Sequence, residues 1–577
     1  MTPCTQQIND NSNIVDSAPT SPGRSQSEPP TVIDMGREIT ASYPCESLLL
    51  KTLPKELKYE VIAHLDLPNV AVLKRTCSEL CDVIEEGDVL AKAWYGRFSS
   101  AHRAQIKAVI STKDNNQLSD WLGQFTNDEA LIKSVVGRRE SDGFPAFFFF
   151  TISQLMSECK AFKLVEEGEI SHGSGIKSAS FSVDGRHVVT KTATEGRNTA
   201  KISGQDIGGS WDVKTNILHS DVINSATFSL DGHHLVTASD DRTAKIYAHE
   251  ADGTWEVKVT ITHGSRVNSA EFSPDGTFLV TASADSSARI YGQEANGLWL
   301  PKASISHEDS VFSASFSANG RYLITRGNDD KSKIYGLEDD GSWLEKSTIA
   351  LPHDCHVELA SLSPDGAHVL TVGQMTVVGE VYHFPSVCDD TVKIYGQKDD
   401  GSWEVKADIR HNERICSATF SPDGNHVVTA SDDGSAQIYS KKADGSWERK
   451  ANIRHQKSVR SATFSPDGRH VVTASHDKTV KIYGQNAKGV WKEKVSIAHD
   501  GEVNSAVFSI DGRHVVTACK DKTAKIIGQQ IDGSWVVKAS ISHQDAVNSA
   551  AFSFDGRYVV TASEDHTAKI IEISIHN

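Results

Sequence analysis

From Ser171 onward, short apolar runs alternate with polar turns. Residues 263 to 306 show the unit: RVNSAEFS, a PDG turn, FLVTAS, an Asp-bearing turn ADSS, ARIYG, an ANG loop, then LWLPKASIS. The runs are rich in Val, Ile, Thr and Tyr and are bounded by Asp-Gly or Asn-Gly signals, which predicts four strands joined by tight turns. A histidine opens each unit, at His172, His219, His263, His307, His353, His411, His455, His499 and His543, with intervals of 47, 44, 44, 46, 58, 44, 44 and 44. A tryptophan marks the last strand at Trp211, Trp255, Trp299, Trp343, Trp403, Trp447, Trp491 and Trp535. One antiparallel sheet per unit cannot bury both of its faces alone, so neighbours must stack, and closing the stack into a ring removes most exposed edges. The pattern predicts a β-propeller over residues 161–577. The repeat count gives nine blades, with seven or eight if the first unit is displaced.

Closure is also written in the pattern. The segment Phe162 to Ile170 precedes His172 as WEVKVTI precedes His263, while the last unit stops after AKIIEI without an outer strand. One strand completes the other's sheet. The fifth unit departs most: Gly366 to Tyr395 spans 29 residues where Gly232 to Tyr247 spans 15, so about fourteen extra residues lie between its second and third strands. That insert carries Tyr382 and Phe384 at a rim position suited to contact with a partner; the other reading is an extended hairpin covering its own blade.

The units resemble WD repeats. Asp241, Asp285, Asp329, Asp389, Asp433 and Asp477 each lie six residues before Tyr247, Tyr291, Tyr335, Tyr395, Tyr439 and Tyr483, the spacing that family keeps between its turn aspartate and its third-strand aromatic. The resemblance implies a structural hydrogen-bond network in each blade: His219, Asp241 and Tyr247 with Thr237 or Ser239, then His263, Asp285 and Tyr291, and His455, Asp477 and Tyr483. It departs from the family in lacking a Gly before the His and in placing Ile527 and Ile571 at the aromatic position of the last two units. The first unit has Arg197 and Ser203 where Asp and Tyr are expected.

Before the propeller the period changes. Leu57, Val61 and Leu65, then Val70, Leu73, Cys77, Leu80 and Ile84, fall at helical intervals, with Pro54 and Pro68 near helix starts. Periodicity alone gives a small helical bundle. The residues Leu53-Pro54-x-Glu56-Leu57, Ile62, Leu65-Asp66-Leu67-x-Asn69 and a closing Trp94 resemble an F-box over 47–98. That resemblance implies docking on a Skp-type adaptor, and through it a cullin, by Leu53, Pro54, Leu57, Ile62, Leu65 and Leu67. Residues 99–160 read as a mostly helical linker ending in the apolar run Phe144 to Met156. Residues 1–46, rich in Ser, Thr, Pro, Asn and Gln, read as a disordered tail open to phosphorylation at Ser17, Ser21 or Ser27, or to an export role.

Charge then narrows the function. With 59 Lys+Arg against 76 Asp+Glu the net charge is −17, which argues against a dedicated nucleic-acid binder. Nine scattered cysteines without a C-x-x-C pair point to a reducing compartment and no zinc site. No signal peptide or membrane-spanning stretch is evident. No nucleophile elbow, P-loop or H-E-x-x-H occurs, and histidines one per blade are too dispersed for a triad, so neither an enzyme nor a cofactor is expected. Arg242, Arg266, Arg414, Arg460 and Lys478 gather at the Asp-turn end as candidates for meeting a target. The function expected is substrate receptor of an SCF-type ubiquitin ligase, in the cytoplasm or nucleus. The alternatives are a non-catalytic scaffold and a bacterial effector that recruits the ligase of a host cell.

Overall fold

The computed structural model describes residues 89–192, 199–206, 209–350, 356–374, 390–398, 402–486 and 488–574. The chain divides into two compact units, Met1–Leu48 and Leu49–Asn577, and every described residue belongs to the second. The proposed docking stripe Leu53, Pro54, Leu57, Ile62, Leu65 and Leu67, the insert with Tyr382 and Phe384, Asp389 and Arg197 lie outside the described residues.

Nine four-stranded antiparallel sheets make up the propeller. In blade 3 the strands run Val267–Phe272, Phe278–Ser283, Ser287–Gln293 and Trp299–Ser306 from the inside outward. Alternation decides which residues go in: the second strand, FLVTAS, is buried at five of its six positions because both of its faces meet a neighbouring blade. In the outer strand only Trp299 and Ile305 are buried, since one side of that strand faces solvent.

Ring closure follows the sequence prediction. Lys163–Ser171 pairs antiparallel with Thr567–Ser574, from Lys163 opposite Ser574 to Ser171 opposite Thr567, and so supplies the outer strand of blade 9. Ile170 is buried there beside Ile570 and Trp211. Blade 9 then joins blade 1 as any two neighbours join: Asn548 Nδ2 donates to the Ile176 carbonyl at 2.9 Å and the Ala179 N–H donates to Ser549 Oγ at 3.2 Å.

Those two bonds belong to a series. The inner strand of each blade has a free edge, and unpaired N–H and C=O groups are costly unless satisfied. Asn224, Asn268 and Asn504 donate to the carbonyls of Val267, Val311 and Val547 in the next blade, at 2.8, 2.7 and 2.9 Å. Ser225 and Ser417 accept from the N–H groups of Ala270 and Ala462. The Asn-Ser pair in VNSA is therefore a stitch between blades. Each tryptophan acts at the other end: Trp299 packs on Phe272 of its own blade and His234 of the preceding one, and Trp491 likewise on Phe464 and His426.

Five helices precede the ring among the described residues: α1 Val89–Tyr95, α2 Ser100–Ser111, α3 Asn115–Gly123, α4 Glu129–Val136 and α5 Phe144–Glu158. Their starts are written locally: Ser99 caps α2, Asp114 and Gln117 form a capping box on α3, and Asp128 caps α4. The phenylalanine run is a helix because Pro145 sits in its first turn and its apolar residues go all round, with Phe148 and Ile152 buried. Trp94, assigned above to the end of the F-box, stacks on Phe98, Phe149 and Phe150 and so shares a core with α5.

That core continues into blades 8 and 9, taking in Val516, Ile526, Ile541 and Val559. Polar anchors fix it. Trp121 Nε1 donates to the Asp555 carbonyl at 3.2 Å, Ser153 Oγ donates to Asp511 at 3.0 Å, and Arg513 lies over Trp94 and Phe150. Lys538, only 3 % exposed, donates to the carbonyls of Met156 and Cys159 at 2.6 and 2.7 Å, where helix α5 ends and its carbonyls lack partners. Asp511, Arg513 and Asp555 sit in the Asp-Gly turns between first and second strands. The helices thus cover the end of the ring opposite the Asp-turns.

Candidate functional site: the Asp-turn end of the propeller

The turn between second and third strands is held by a repeated set of side chains. In blade 3, His263 Nδ1 meets Asp285 at 2.9 Å and its Nε2 meets Thr281 Oγ1 at 2.9 Å. Asp285 also accepts from the N–H groups of Gly264 and Ser287 and from the Ser287 hydroxyl, at 2.9, 3.0 and 2.6 Å. Blades 2 and 7 repeat this with His219, Asp241, Thr237 and Thr243, and with His455, Asp477, Thr473 and Thr479.

Burial fixes the protonation. It pushes the pKa of His219, His263 and His455 down, more than their aspartates raise it. The rings are therefore neutral at pH 7. A carboxylate can only accept, so Nδ1 carries the proton and Nε2 receives the threonine hydroxyl. Burial alone would raise Asp241 and Asp477, but hydrogen bonds, led by those from Thr243 and Thr479, outweigh it and hold both carboxyls at about 2.

Of the two residues offered for blade 2, Thr237 meets the histidine, while Ser239 accepts the Asp241 N–H at 3.1 Å. The tyrosine position does not join in blade 7, where Tyr483 donates to Glu493 at 3.1 Å on the outer strand. Tyr335 does the same with Glu345. Tyr247 is buried in the packing between blades 1 and 2, and Tyr291 packs at the edge of the core between blades 2 and 3. The sequence reading missed the Ser or Thr two residues after every turn Asp except Asp329, which has Lys331 there, although the D-x-T/S spacing was there to be seen. In blade 1, where Arg197 stands at the aspartate position outside the described residues, His172 Nδ1 meets Thr199 Oγ1 at 2.9 Å.

The candidate cations share one end. Arg242 and Lys478 occupy the Asp-turn itself, each in the left-handed region at φ 69° and 71°. Lys478 reaches the next blade and donates to the Asp500 carbonyl at 2.8 Å. Arg266 and Arg414 precede inner strands, their carbonyls accepting from Ala284 and Asp432 N–H groups across the turn. Arg460 lies near the start of the inner strand of blade 7, at the position where blades 2, 3, 8 and 9 carry the stitching asparagine and blade 6 carries Cys416, and its guanidinium lies 3.8 Å from Asp432 and 3.6 Å from the Cys416 sulfur. Cys416 in turn donates to Asp432 at 3.1 Å. This mouth of the channel is polar, of mixed charge, and uncovered by the helices.

Seven segments match the WD domain, G-beta repeat family: residues 209–248, 255–292, 300–335, 404–440, 448–484, 491–527 and 535–572. Each spans the outer strand of one blade and the three inner strands of the next, so the matched units are blades 2, 3, 4, 6, 7, 8 and 9. The protein is a nine-bladed propeller containing seven WD40 repeats, and blades 1 and 5 are the divergent units. Propellers of this class are generally non-catalytic scaffolds for protein–protein interaction. A crystal structure of Saccharomyces cerevisiae Sqt1 is similar at 14% identity and a TM-score of 0.46, over 62% of this chain and 97% of that one. No curated protein sequence matches the chain. Among the described residues no helix is long and apolar enough to cross a membrane.

Proposed function

We propose that the chain is a substrate receptor for a ubiquitin ligase, in which the Asp-turn end of the propeller holds a target protein and the F-box-like segment 47–98 engages a Skp-type adaptor and, through it, a cullin. The observation that carries the reading is the placement of α1–α5. Helix α1 with Trp94 closes the F-box-like segment, α2–α5 follow it, and all are fixed to blades 8 and 9 by a continuous core and the Lys538 anchor, at the end away from the candidate target face. A receptor needs this separation, because adaptor and target must bind together. Cytoplasm or nucleus, or the cytoplasm of a host cell if the chain is exported, suits such a partner.

Co-purification with a Skp-type adaptor tests it. The parent chain is expected to bind, and a folded variant carrying Leu57→Asp and Leu65→Asp to lose binding through the loss of apolar contact. A parent chain that does not bind removes the ligase reading and leaves the interaction scaffold.

A further inference from the structure

Blade 8 breaks the pattern of its siblings at one buried position. Where blades 2, 3, 6, 7 and 9 place Ser239, Ser283, Ser431, Ser475 and Ser563 beneath the turn aspartate, blade 8 places Cys519. A ring nitrogen of His499, Cys519 Sγ and an Asp521 carboxylate oxygen all lie within 4.8 Å of one another, His499 Nδ1 is 3.2 Å from Asp521 Oδ2, and Cys519 is fully buried. We propose that His499, Cys519 and Asp521 form a zinc site, with water as the fourth ligand.

The chemistry fits a thiophilic divalent cation. Tetrahedral zinc with ligands at about 2.0–2.3 Å sets its ligand atoms about 3.3–3.6 Å apart. His499 Nδ1 and Asp521 Oδ2 are already 3.2 Å apart, so closure asks only for movement of the sulfur. The metal would displace the bond from His499 Nδ1 to Asp521, at 3.2 Å the longest of its kind against 2.8–3.1 Å in blades 2, 3, 4, 6, 7 and 9, and the bond that the Cys519 thiol donates to the Glu502 carbonyl at 3.3 Å. The second sphere is present too: the Asp521 N–H points to the sulfur at 3.4 Å, and Thr517 faces the far ring nitrogen of His499.

The protons balance. Without metal the histidine and the thiol are neutral and the carboxylate carries the only charge. On binding, the thiol proton leaves to solvent and the Nδ1 proton is replaced by one on Nε2, which donates to Thr517. Zinc, thiolate and carboxylate then sum to zero charge, so the buried cluster ends uncharged, and one proton is released per metal bound. A serine hydroxyl is a far weaker ligand than a thiolate, which confines the site to blade 8. The sequence offered no hint because the three ligands are not spaced as a motif; strand pairing brings them together.

The test uses the full-length chain stripped with a chelator and titrated with zinc alone, read by metal analysis and thermal melting, with cobalt as a spectroscopic probe. The parent is expected to hold one tight equivalent, to melt higher with zinc, and to show a thiolate-to-cobalt charge-transfer band. Cys519→Ser, which installs the residue of five sibling blades, is expected to lose all three responses, while Cys159→Ser and Cys416→Ser keep them. Absence of a stoichiometric zinc or of the charge-transfer band in the parent, or their survival in Cys519→Ser, overturns the proposal. If Cys519→Ser does not fold by circular dichroism, the parent's own band decides.

Discussion

Replacing Asp285 by alanine isolates the energy of one blade's network. The carboxylate accepts from His263 Nδ1, from two backbone N–H groups, from the Ser287 hydroxyl and from the Arg289 guanidinium at 3.3 Å. The hydroxyl and the partly exposed guanidinium can turn to other partners, but the imidazole and the two backbone donors cannot. The His263 side chain is wholly buried, so its orphaned N–H costs about 2 kcal/mol, and the two backbone donors nearer the surface cost about 1 kcal/mol each once water is allowed to reach them. The sum, about 3–4 kcal/mol, is an upper range because the three share one acceptor. Asp285→Asn keeps the shape and one acceptor oxygen while losing the charge, and should cost about half as much. A ring of nine blades need not unfold in one step, so a global midpoint is the wrong readout. Native-state hydrogen exchange by mass spectrometry on peptides spanning 267–293 reports the opening of blade 3 directly. At about 1.4 kcal/mol per tenfold, the alanine variant should exchange two to three orders of magnitude faster there, with blade 7 little changed. Acceleration below about fivefold in blade 3 would refute the assignment of the network as the element that holds the turn.

Acid should act on the same groups before it acts on carboxylates. Below about pH 6.5 the unfolded chain protonates its histidines, while burial lowers the pKa of His219, His263 and His455 in the fold and brings His172 to about 4; protons therefore favour the unfolded chain, and melting temperature should fall from pH 6.5 toward 4. The aspartates, held near 2 in Asp241 and Asp477, add their own loss only below the ordinary carboxylate range, so a melting temperature flat down to pH 4 would contradict the neutral-imidazole reading. Lys538→Ala, which strands the Met156 and Cys159 carbonyls, should weaken the docking of α5 by about 2–3 kcal/mol, visible as faster exchange in 144–158. Lys494→Ala, at the matching but exposed position of blade 7, should change stability by less than about 0.5 kcal/mol. Ile170→Ala should cost about 2–4 kcal/mol and raise protease sensitivity at the junction of blades 1 and 9.

The sequence spoke most clearly where one residue type serves one geometric need. A 44-residue period, turn glycines and alternating Val and Thr were enough for nine blades, and the unpaired FKLVEEGEI was enough for closure. What it hid were interactions between units. The Asn-Ser stitch of the inner strands, the packing of tryptophans such as Trp255, Trp299, Trp447, Trp491 and Trp535 on the preceding blade's histidine, and the docking of α5 on Lys538 join residues whose partners are fixed only when strands register. Lys538 is the extreme case: its sequence context matches that of Lys494, yet one is buried under a helix end and the other faces solvent. The tyrosine was assigned to the histidine network by resemblance to a tryptophan it replaces. Its hydroxyl sits farther from the ring than an indole N–H, which is why Tyr483 reaches an outer-strand glutamate instead.

The way the ring closes sets an order on its birth. Lys569 meets Glu166 across 403 residues, and a loop of that length costs about 5 kcal/mol of entropy to close. During synthesis the strand Lys163–Ser171 emerges early and has no partner until Thr567–Ser574 leaves the ribosome. The five helices share that wait, since the blades that receive them are the last two made. Until then their aromatic faces and two open sheet edges stand uncovered together. A chain not yet extended through blade 9 therefore exposes the surfaces that chaperones and proteases read, and the pairing of Lys163–Ser171 with Thr567–Ser574 conceals them.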